Sequence, residues 1–345
     1  MIDDLFLEFS QNFFFYMIVN TVFPLKVGIV GTGYAAKKRA EAIAADPRLD
    51  LLVVTGHTPE KLKEFSLAHR VKVIDSASQL VSLPQLDLVF ICTINQNSGA
   101  IAKAAILADK HVVVEYPLAL DAKVAAEVIE LARAKQKLLH IEHMEIIGGL
   151  HQAMKQYLPQ IGNVFHASYT TIAAQRPVKP SWKYHHQMFG FPLSAALSRI
   201  HRLTDLFGKV ASVTCSDRYW NVPDSDYFTA CFCQAQLNFQ NGITASVIYG
   251  KGDVFEQSDR TFEILGEEGK IIFQGQKGIL IKNGQEQEIP SAPRKGLFAK
   301  DTALVLDYFQ NQNPLYIQPQ ASLYALQVAN AAQESALTGK VVKLP

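Results

Sequence analysis

The stretch Leu25-Lys-Val-Gly-Ile-Val-Gly31-Thr-Gly33-Tyr-Ala-Ala36 constrains this chain more than any other. An apolar run of strand length leads directly into paired glycines, and an alanine-rich segment then reaches about Ala45, which reads as strand, tight turn, helix. A second apolar run, Leu49 to Thr55, closes the unit within about thirty residues, as a parallel βαβ unit requires. Gly31 and Gly33 let the backbone turn tightly and approach an anion at the helix N-terminus, while Ala36 stands at the third position of the glycine pattern. The expectation is a dinucleotide pyrophosphate held by Gly31, Thr32, Gly33, Tyr34 and Ala35.

The alternation continues with helix Glu60 to His69, strand Val71 to Ile74, strand Leu86 to Thr93, helix Ala100 to Ala108 and strand His111 to Val114. Helix Ala122 to Lys135 and strand Leu138 to Glu142 complete a doubly wound α/β sheet. After about residue 145 the pattern changes to period-two runs: Val164 to Ile172, Val210 to Arg218, Tyr227 to Phe239, Gly242 to Tyr249, Arg260 to Leu265, Gly269 to Phe273 and Gly278 to Lys282. Turn pairs such as Asn241-Gly242 and Asn283-Gly284 separate them, so antiparallel hairpins follow, with helices from about Asp301 to Asn311 and Gln318 to Leu337. The predicted fold is α/β: an N-terminal extension over 1–24, a Rossmann NADP-binding domain over 25–143, and an α+β domain with a large open antiparallel sheet and terminal helices over 144–345.

A formal charge of +1 without a long basic block excludes the electrostatic footprint of a nucleic-acid binder. Phe13-Phe-Phe-Tyr-Met-Ile-Val19 follows an acidic start and lacks both a basic n-region and a small-residue cleavage site, so it reads as an accessory extension rather than a secretory signal. It is also too short and polar-interrupted for a membrane span. Cys92, Cys215, Cys231 and Cys233 show no metal-ligand spacing and read as plain thiols in a reducing, cytoplasmic compartment. Nothing in the sequence fixes the oligomeric state.

NAD-preferring sites place an acid after the second strand to hold the ribose hydroxyls. Here that position carries Thr55 or Gly56, and His57, Thr58 and Lys61 follow as donors for a 2′-phosphate, so NADPH is expected over NADH.

Gly31-Thr-Gly33, the strand end Cys92-Thr93-Ile94-Asn95 and Asp109-Lys-His-Val-Val-Val-Glu115-Tyr-Pro117 together resemble the Gfo/Idh/MocA oxidoreductases over nearly the whole chain. The resemblance implies Thr93, Asn95 and Glu115 as further cofactor contacts. It also exposes a departure, because the family ordinarily carries Glu-Lys-Pro, with lysine as the catalytic acid, where this chain has Glu115-Tyr116-Pro117. The family's Asp-x-Gly-x-x-x-His neighbourhood is likewise replaced around Ser194 to Arg202, with Ser198 or Arg202 at the histidine position depending on register.

A narrower set, Lys110-His-Val-Val-Val-Glu-Tyr-Pro117, Leu139-His-Ile-Glu142-His143-Met-Glu145, Phe189-Gly-Phe191-Pro192, Leu197-Ser-Arg199 and Leu206-Phe-Gly208, is similar to the biliverdin-reducing branch of that family, A type as in mammals, and suggests a cyanobacterial source. The resemblance implies hydride transfer from NADPH to the central methine bridge of biliverdin, with a proton to a pyrrole nitrogen. Arg199, Tyr116 and Glu142 are the expected catalytic residues, with Tyr116 a neutral donor at a strand end. Tyr116, Arg199, Arg202, Phe191 and Lys251 are expected against the substrate, with Arg218, Arg260, Tyr184 and Phe189 as further candidates for its propionates and rings. Glu142, His143 and Glu145 form the densest acid and imidazole cluster, but no metal is expected, since strand alternation would separate Glu142 from His143. Two other readings stand beside this one: a sugar or cyclitol dehydrogenase using His201 as base, and a non-catalytic NADPH-binding sensor.

Overall fold

Residues 22–345 are described in a computed structural model of the chain, and the expected extension over 1–24 lies almost wholly outside them. The first sheet has six strands in the order β3-β2-β1-β4-β5-β6, formed by β1 (Leu25–Val30), β2 (Leu49–Thr55), β3 (Lys72–Val73), β4 (Leu88–Ile91), β5 (His111–Glu115) and β6 (Leu139–Glu142). All its pairings are parallel. The central strand β4 is buried at every position, as a continuous apolar run covered by helices on both faces should be. Between the strands run α1 (Tyr34–Ala44), α2 (Pro59–His69), α3 (Ala77–Val81), α4 (Asn95–Leu107) and α5 (Ala122–Ala134). This strand order is that of dinucleotide-binding sheets, whose ligands lie beyond the C-terminal strand ends.

Two short helices, α6 (Met144–Ile147) and α7 (Gly149–Tyr157), lead into a nine-stranded sheet: β7 (Val164–Ala174), β8 (Val210–Asn221), β9 (Phe228–Phe239), β10 (Thr244–Gly252), β11 (Asp259–Gly266), β12 (Gly269–Gln274), β13 (Lys277–Lys282), β14 (Gln285–Ile289) and β15 (Val342–Lys343). Helices α8 (His186–Phe189), α9 (Pro192–Ala195) and α10 (Ser198–Phe207) sit in the long crossover between β7 and β8. Because of that crossover β10 arrives beside β7 in the same direction, and β7 and β10 pair in parallel. The large open antiparallel sheet expected from the sequence is thus present with one parallel pair inside it, a detail that period-two patterning does not give, since it marks a half-buried strand without fixing its partner's direction. Strand β14 escaped the sequence reading because its Gln-Glu-Gln-Glu start is exposed at the sheet edge, where no apolar alternation is needed.

The chain closes with α11 (Leu297–Asn311), which packs on α1, and α12 (Pro319–Thr338), which lies across β8 and α10. Helix α4 starts five residues before its expected position, because burial of Asn95, Ser98 and Gly99 outweighs the weak helix propensity of that polar turn. No described helix is long and apolar enough to cross a membrane.

Candidate active site

The turn between β1 and α1 is built for a phosphate. Gly31 sits at φ +122°, and a Cβ there would lie 2.1 Å from the Cys92 carbonyl oxygen, so only glycine fits. A Cβ on Gly33 would meet nothing within 4 Å, which leaves open space at the N-cap of α1. That cap has no side-chain acceptor and no acidic residue in its first turn, so the helix offers free N–H groups to an anion. Gly56 lies against Thr32, which brings the His57-Thr58 loop beside this turn; His57 and Lys61 are exposed, and Thr58 caps α2. These residues fit the phosphates of a dinucleotide.

A cavity of about 1130 Å³ runs from Tyr34 and Ala35 on α1, past the ends of β5 and β6, to the inner face of the second sheet. Tyr116, Glu142, Arg199 and Lys251 all line it, as do Asn95 and Glu115. On its wall the Tyr116 hydroxyl donates to Ser198 Oγ at 3.0 Å, and Arg199 Nη1 donates to the same oxygen at 2.8 Å. Ser198 Oγ thus accepts twice and has its own proton left to give to a group in the cavity. Burial and the neighbouring Glu145 push the Tyr116 phenol up to about 12, against the pull of Arg199, so it is neutral at ordinary pH. Arg199 also lies over the Tyr249 ring at 5.7 Å.

Behind Tyr116 stands the acid and imidazole cluster. Tyr116 stacks on His143 at 5.1 Å and 9°, and His143 packs against His201 at 4.0 Å. His143 Nδ1 meets Glu145 Oε1 at 3.1 Å and its Nε2 meets Ser322 Oγ at 2.7 Å. Burial takes His143 down to about 4, whereas the imidazoles of His143 and His201 outweigh burial and hold Glu145 well below the usual carboxylate range. The pair is therefore a neutral imidazole donating from Nδ1 to a carboxylate, with Ser322 donating to Nε2. Glu142 behaves oppositely, since burial together with Glu115, Glu145 and Asp301 raises it well above the usual range despite Arg39, leaving a protonated acid on the cavity wall.

Arg39, fully buried in α1, carries the carboxylates that flank the strand ends. Its Nε donates to Glu115 at 2.8 Å and its Nη1 reaches Asp301 and Thr302 of α11. Asp301 also accepts from Tyr316 at 2.6 Å and meets His140 Nε2 at 2.8 Å. Nothing in the sequence pointed to this network, because its bonded partners lie up to 263 residues apart.

The other expected site residues divide. Tyr184, Phe189 and Arg260 line the cavity. Phe191 does not; it is buried in the core at the start of α9. Arg202 is likewise absent from the wall and lies buried one helical turn behind Arg199. Arg218 is exposed and stacks on Trp220 away from the cavity. Asn95 spends its amide on the Phe189 carbonyl at 3.0 Å, holding α8 against α4, and half-buried Thr93 lies just before it. Buried His201 faces Glu145 at 3.6 Å rather than the cavity. The four cysteines are free thiols.

A parallel sheet in dinucleotide-binding order, a glycine cradle at its switch point and a second sheet walling a cavity beyond the strand ends define a two-domain nicotinamide-dependent oxidoreductase. Residues 25–143 match the NAD-binding Rossmann fold of the Gfo/Idh/MocA oxidoreductase family, and residues 158–344 match its C-terminal alpha/beta domain. The chain belongs to that family. The biliverdin reductase of Synechocystis sp. PCC 6803, solved with biliverdin and NADP+, is 50% identical, with 90% of this chain and 99% of that chain covered at a TM-score of 0.89. Biliverdin reductase A of Mus musculus is 24% identical over 316 residues, 89% of this chain and 94% of its own. An Agrobacterium radiobacter oxidoreductase solved with NAD+, L-tartaric acid and magnesium shares the fold at 17% identity and a TM-score of 0.80, over 93% of this chain and 98% of that chain.

Proposed function

We propose that the protein reduces biliverdin to bilirubin with NADPH. The observation that carries this reading is the Tyr116–Ser198–Arg199 chain, which occupies the cavity wall at the strand end where a lysine acid serves in the alcohol dehydrogenases of the family. The wall offers neutral and cationic donors around Arg199, while its carboxylates Glu115 and Glu145 are committed to Arg39 and His143 and His201 is turned to Glu145. Such a surface suits an acceptor that needs polarising and protonating, not an alcohol that must lose a proton. The 50% identity to a biliverdin-binding reductase supports the same substrate and cofactor.

NADPH, when bound, supplies the hydride for the central methine carbon. The free N–H groups at the start of α1 would hold its pyrophosphate, and His57, Thr58 and Lys61, beside that turn, would meet the 2′-phosphate. Arg199 and Ser198 polarise the tetrapyrrole near its nitrogens and lactam oxygens, and Tyr116 holds the serine in place. Protonated Glu142 serves as the local proton store. Aromatic residues Tyr184 and Phe189 cover the ring system from the second-sheet side.

The test mixes purified protein, NADPH and biliverdin and follows conversion of the red-absorbing pigment to a yellow product; the absence of that product defeats the reading. Arg199→Ala is expected to lower kcat by about 10²-fold or more, as loss of a positioned donor does, and Tyr116→Phe by well under that. Near-normal rates for both variants would remove Arg199 from the mechanism.

A further inference from the structure

Three guanidinium groups gather around one phenol on the inner face of the second sheet. Tyr169 of β7, 2% exposed, stacks on Phe262 of β11 at 4.5 Å and 6°. Arg260 Nη2 donates to its hydroxyl at 3.3 Å, and Arg199 and Arg202 of α10 lie close enough to act on its charge. Among the described residues none of the three arginines forms an ion pair with a carboxylate. Arg199 Nε, Arg202 Nε and Nη1, and Thr171 Oγ1 are buried without any partner. The acid that acts on both Arg199 and Arg202 is Glu145, which is committed to His143 and His201. The other titratable groups around the cluster are Tyr249 of β10 and Tyr116 of the β5 end, beside Arg199, and His151 of α7, near Arg202; none supplies a negative charge in place of a carboxylate.

Buried guanidinium groups without a counter-charge are strongly unfavourable, so any negative charge that can form or bind beside them is favoured. We propose that Tyr169 is the conditional counter-ion of this cluster: in mildly alkaline solution its phenol ionises when the site is empty and is reprotonated when a carboxylate of the substrate takes its place against Arg199 and Arg260. Burial opposes ionisation, but Arg202, Arg199 and Arg260 outweigh it and bring the phenol down to about 8. A carboxylate in the same position would neutralise the arginines permanently and repel an anionic ligand. A phenol does so only in part, and yields by taking one proton from solvent. Tyr169 is thus a positioning residue that sets affinity for the anionic substrate and makes its binding a proton-uptake event above about pH 8.

This inference rests on the proposed substrate for one arm of its test and not for the other. In the first arm, tyrosinate difference absorbance is recorded against pH for the NADP-loaded protein without bilin. Wild type is expected to show a tyrosine titrating near 8 that Tyr169→Phe lacks; identical curves overturn the proposal whatever the substrate. In the second arm, KM for biliverdin is measured between about pH 7 and about pH 9. A competing phenolate raises it about tenfold over that range in wild type, and Tyr169→Phe is expected to remove that rise. A parallel rise in both proteins overturns the proposal. Lys251, which also loses charge in this range, contributes equally to both proteins and cancels in the comparison. If neither protein turns over biliverdin, the substrate reading fails while the first arm still decides the role of Tyr169.

Discussion

Lys251 on β10 is a cation placed where a cation is disfavoured, and replacing it should make the protein more stable at low pH. Its side chain is 5% exposed, and its amine donates to the Lys183 carbonyl. The ring centroids of Phe189, Tyr184 and Phe228 lie 3.1, 4.6 and 5.3 Å from it. Burial takes the amine from its ordinary 10.5 down to about 7. At about 1.4 kcal/mol for each tenfold change, that difference corresponds to about 5 kcal/mol against the charged form. The aromatic faces return about 2 kcal/mol, leaving a net burden of about 3 kcal/mol.

The sign follows from proton counts. Between about pH 7 and the ordinary lysine value the unfolded chain binds a proton that the folded chain has released, so stability rises with pH through that window. The burden is fully present below about pH 7 and gone above the window. Lys251→Met, which keeps an apolar stem of similar length, should therefore exceed wild type by about 3 kcal/mol near pH 6 and by less than about 1 kcal/mol near pH 10. Urea denaturation across that range measures the difference. A gap that does not change with pH, or a variant less stable at every pH, refutes the reasoning. The same variant should bind biliverdin more weakly if the amine meets a propionate, a trade of stability for function often found at binding sites.

Glu142→Gln keeps the shape of a protonated carboxyl, so unfolding free energy should stay within about 1 kcal/mol of wild type, while kcat falls about 10²-fold because the amide cannot pass on a proton. Steady-state kinetics beside a urea titration check both, and an unchanged kcat removes Glu142 from proton supply. Asp301→Asn leaves fully buried Arg39 short of a counter-charge and should lower unfolding free energy by about 3 kcal/mol; a loss under about 1 kcal/mol would show that Glu115 alone suffices.

What the sequence made legible was local. The glycine turn, the βαβ order and the period-two strands are each written within a few residues, and the fold followed from them, while the parallel pairing of β7 with β10 is set by the long crossover and is not written locally. Tyr116 was visible as a departure from the family's Glu-Lys-Pro, Arg199 and Glu142 through the resemblance, and Lys251 as a cation on the predicted sheet, and all four line one cavity. Phe191 was misplaced because an aromatic beside a glycine reads the same in a core as on a binding wall, and Arg202 because helical spacing alone could not say which arginine of α10 faces outward. Ser198 as the link between Tyr116 and Arg199 spans 82 residues, and the three arginines around Tyr169 come from two elements brought together only by the crossover between β7 and β8.

The charges in this cavity are segregated, and the direction of that segregation bears on the chemistry. Carboxylates Glu115, Glu145 and Asp301 cluster behind the C-terminal ends of the first sheet, held by Arg39 and by imidazoles. Cations Arg199, Arg260 and Lys251 lie toward the second sheet without acidic partners. Hydride transfer moves negative charge from the cofactor to the acceptor, so on the proposed reading the donor side becomes more positive beside carboxylates and the acceptor more negative beside guanidinium groups. Both changes are favoured by charges already in place, at the point where dipoles fixed before reaction are worth most. A lysine in place of Tyr116 would set a further cation at the strand end, between the two regions and against His143. The neutral phenol keeps the gradient, and that is a physical reason for tyrosine at this position independent of any proton it gives.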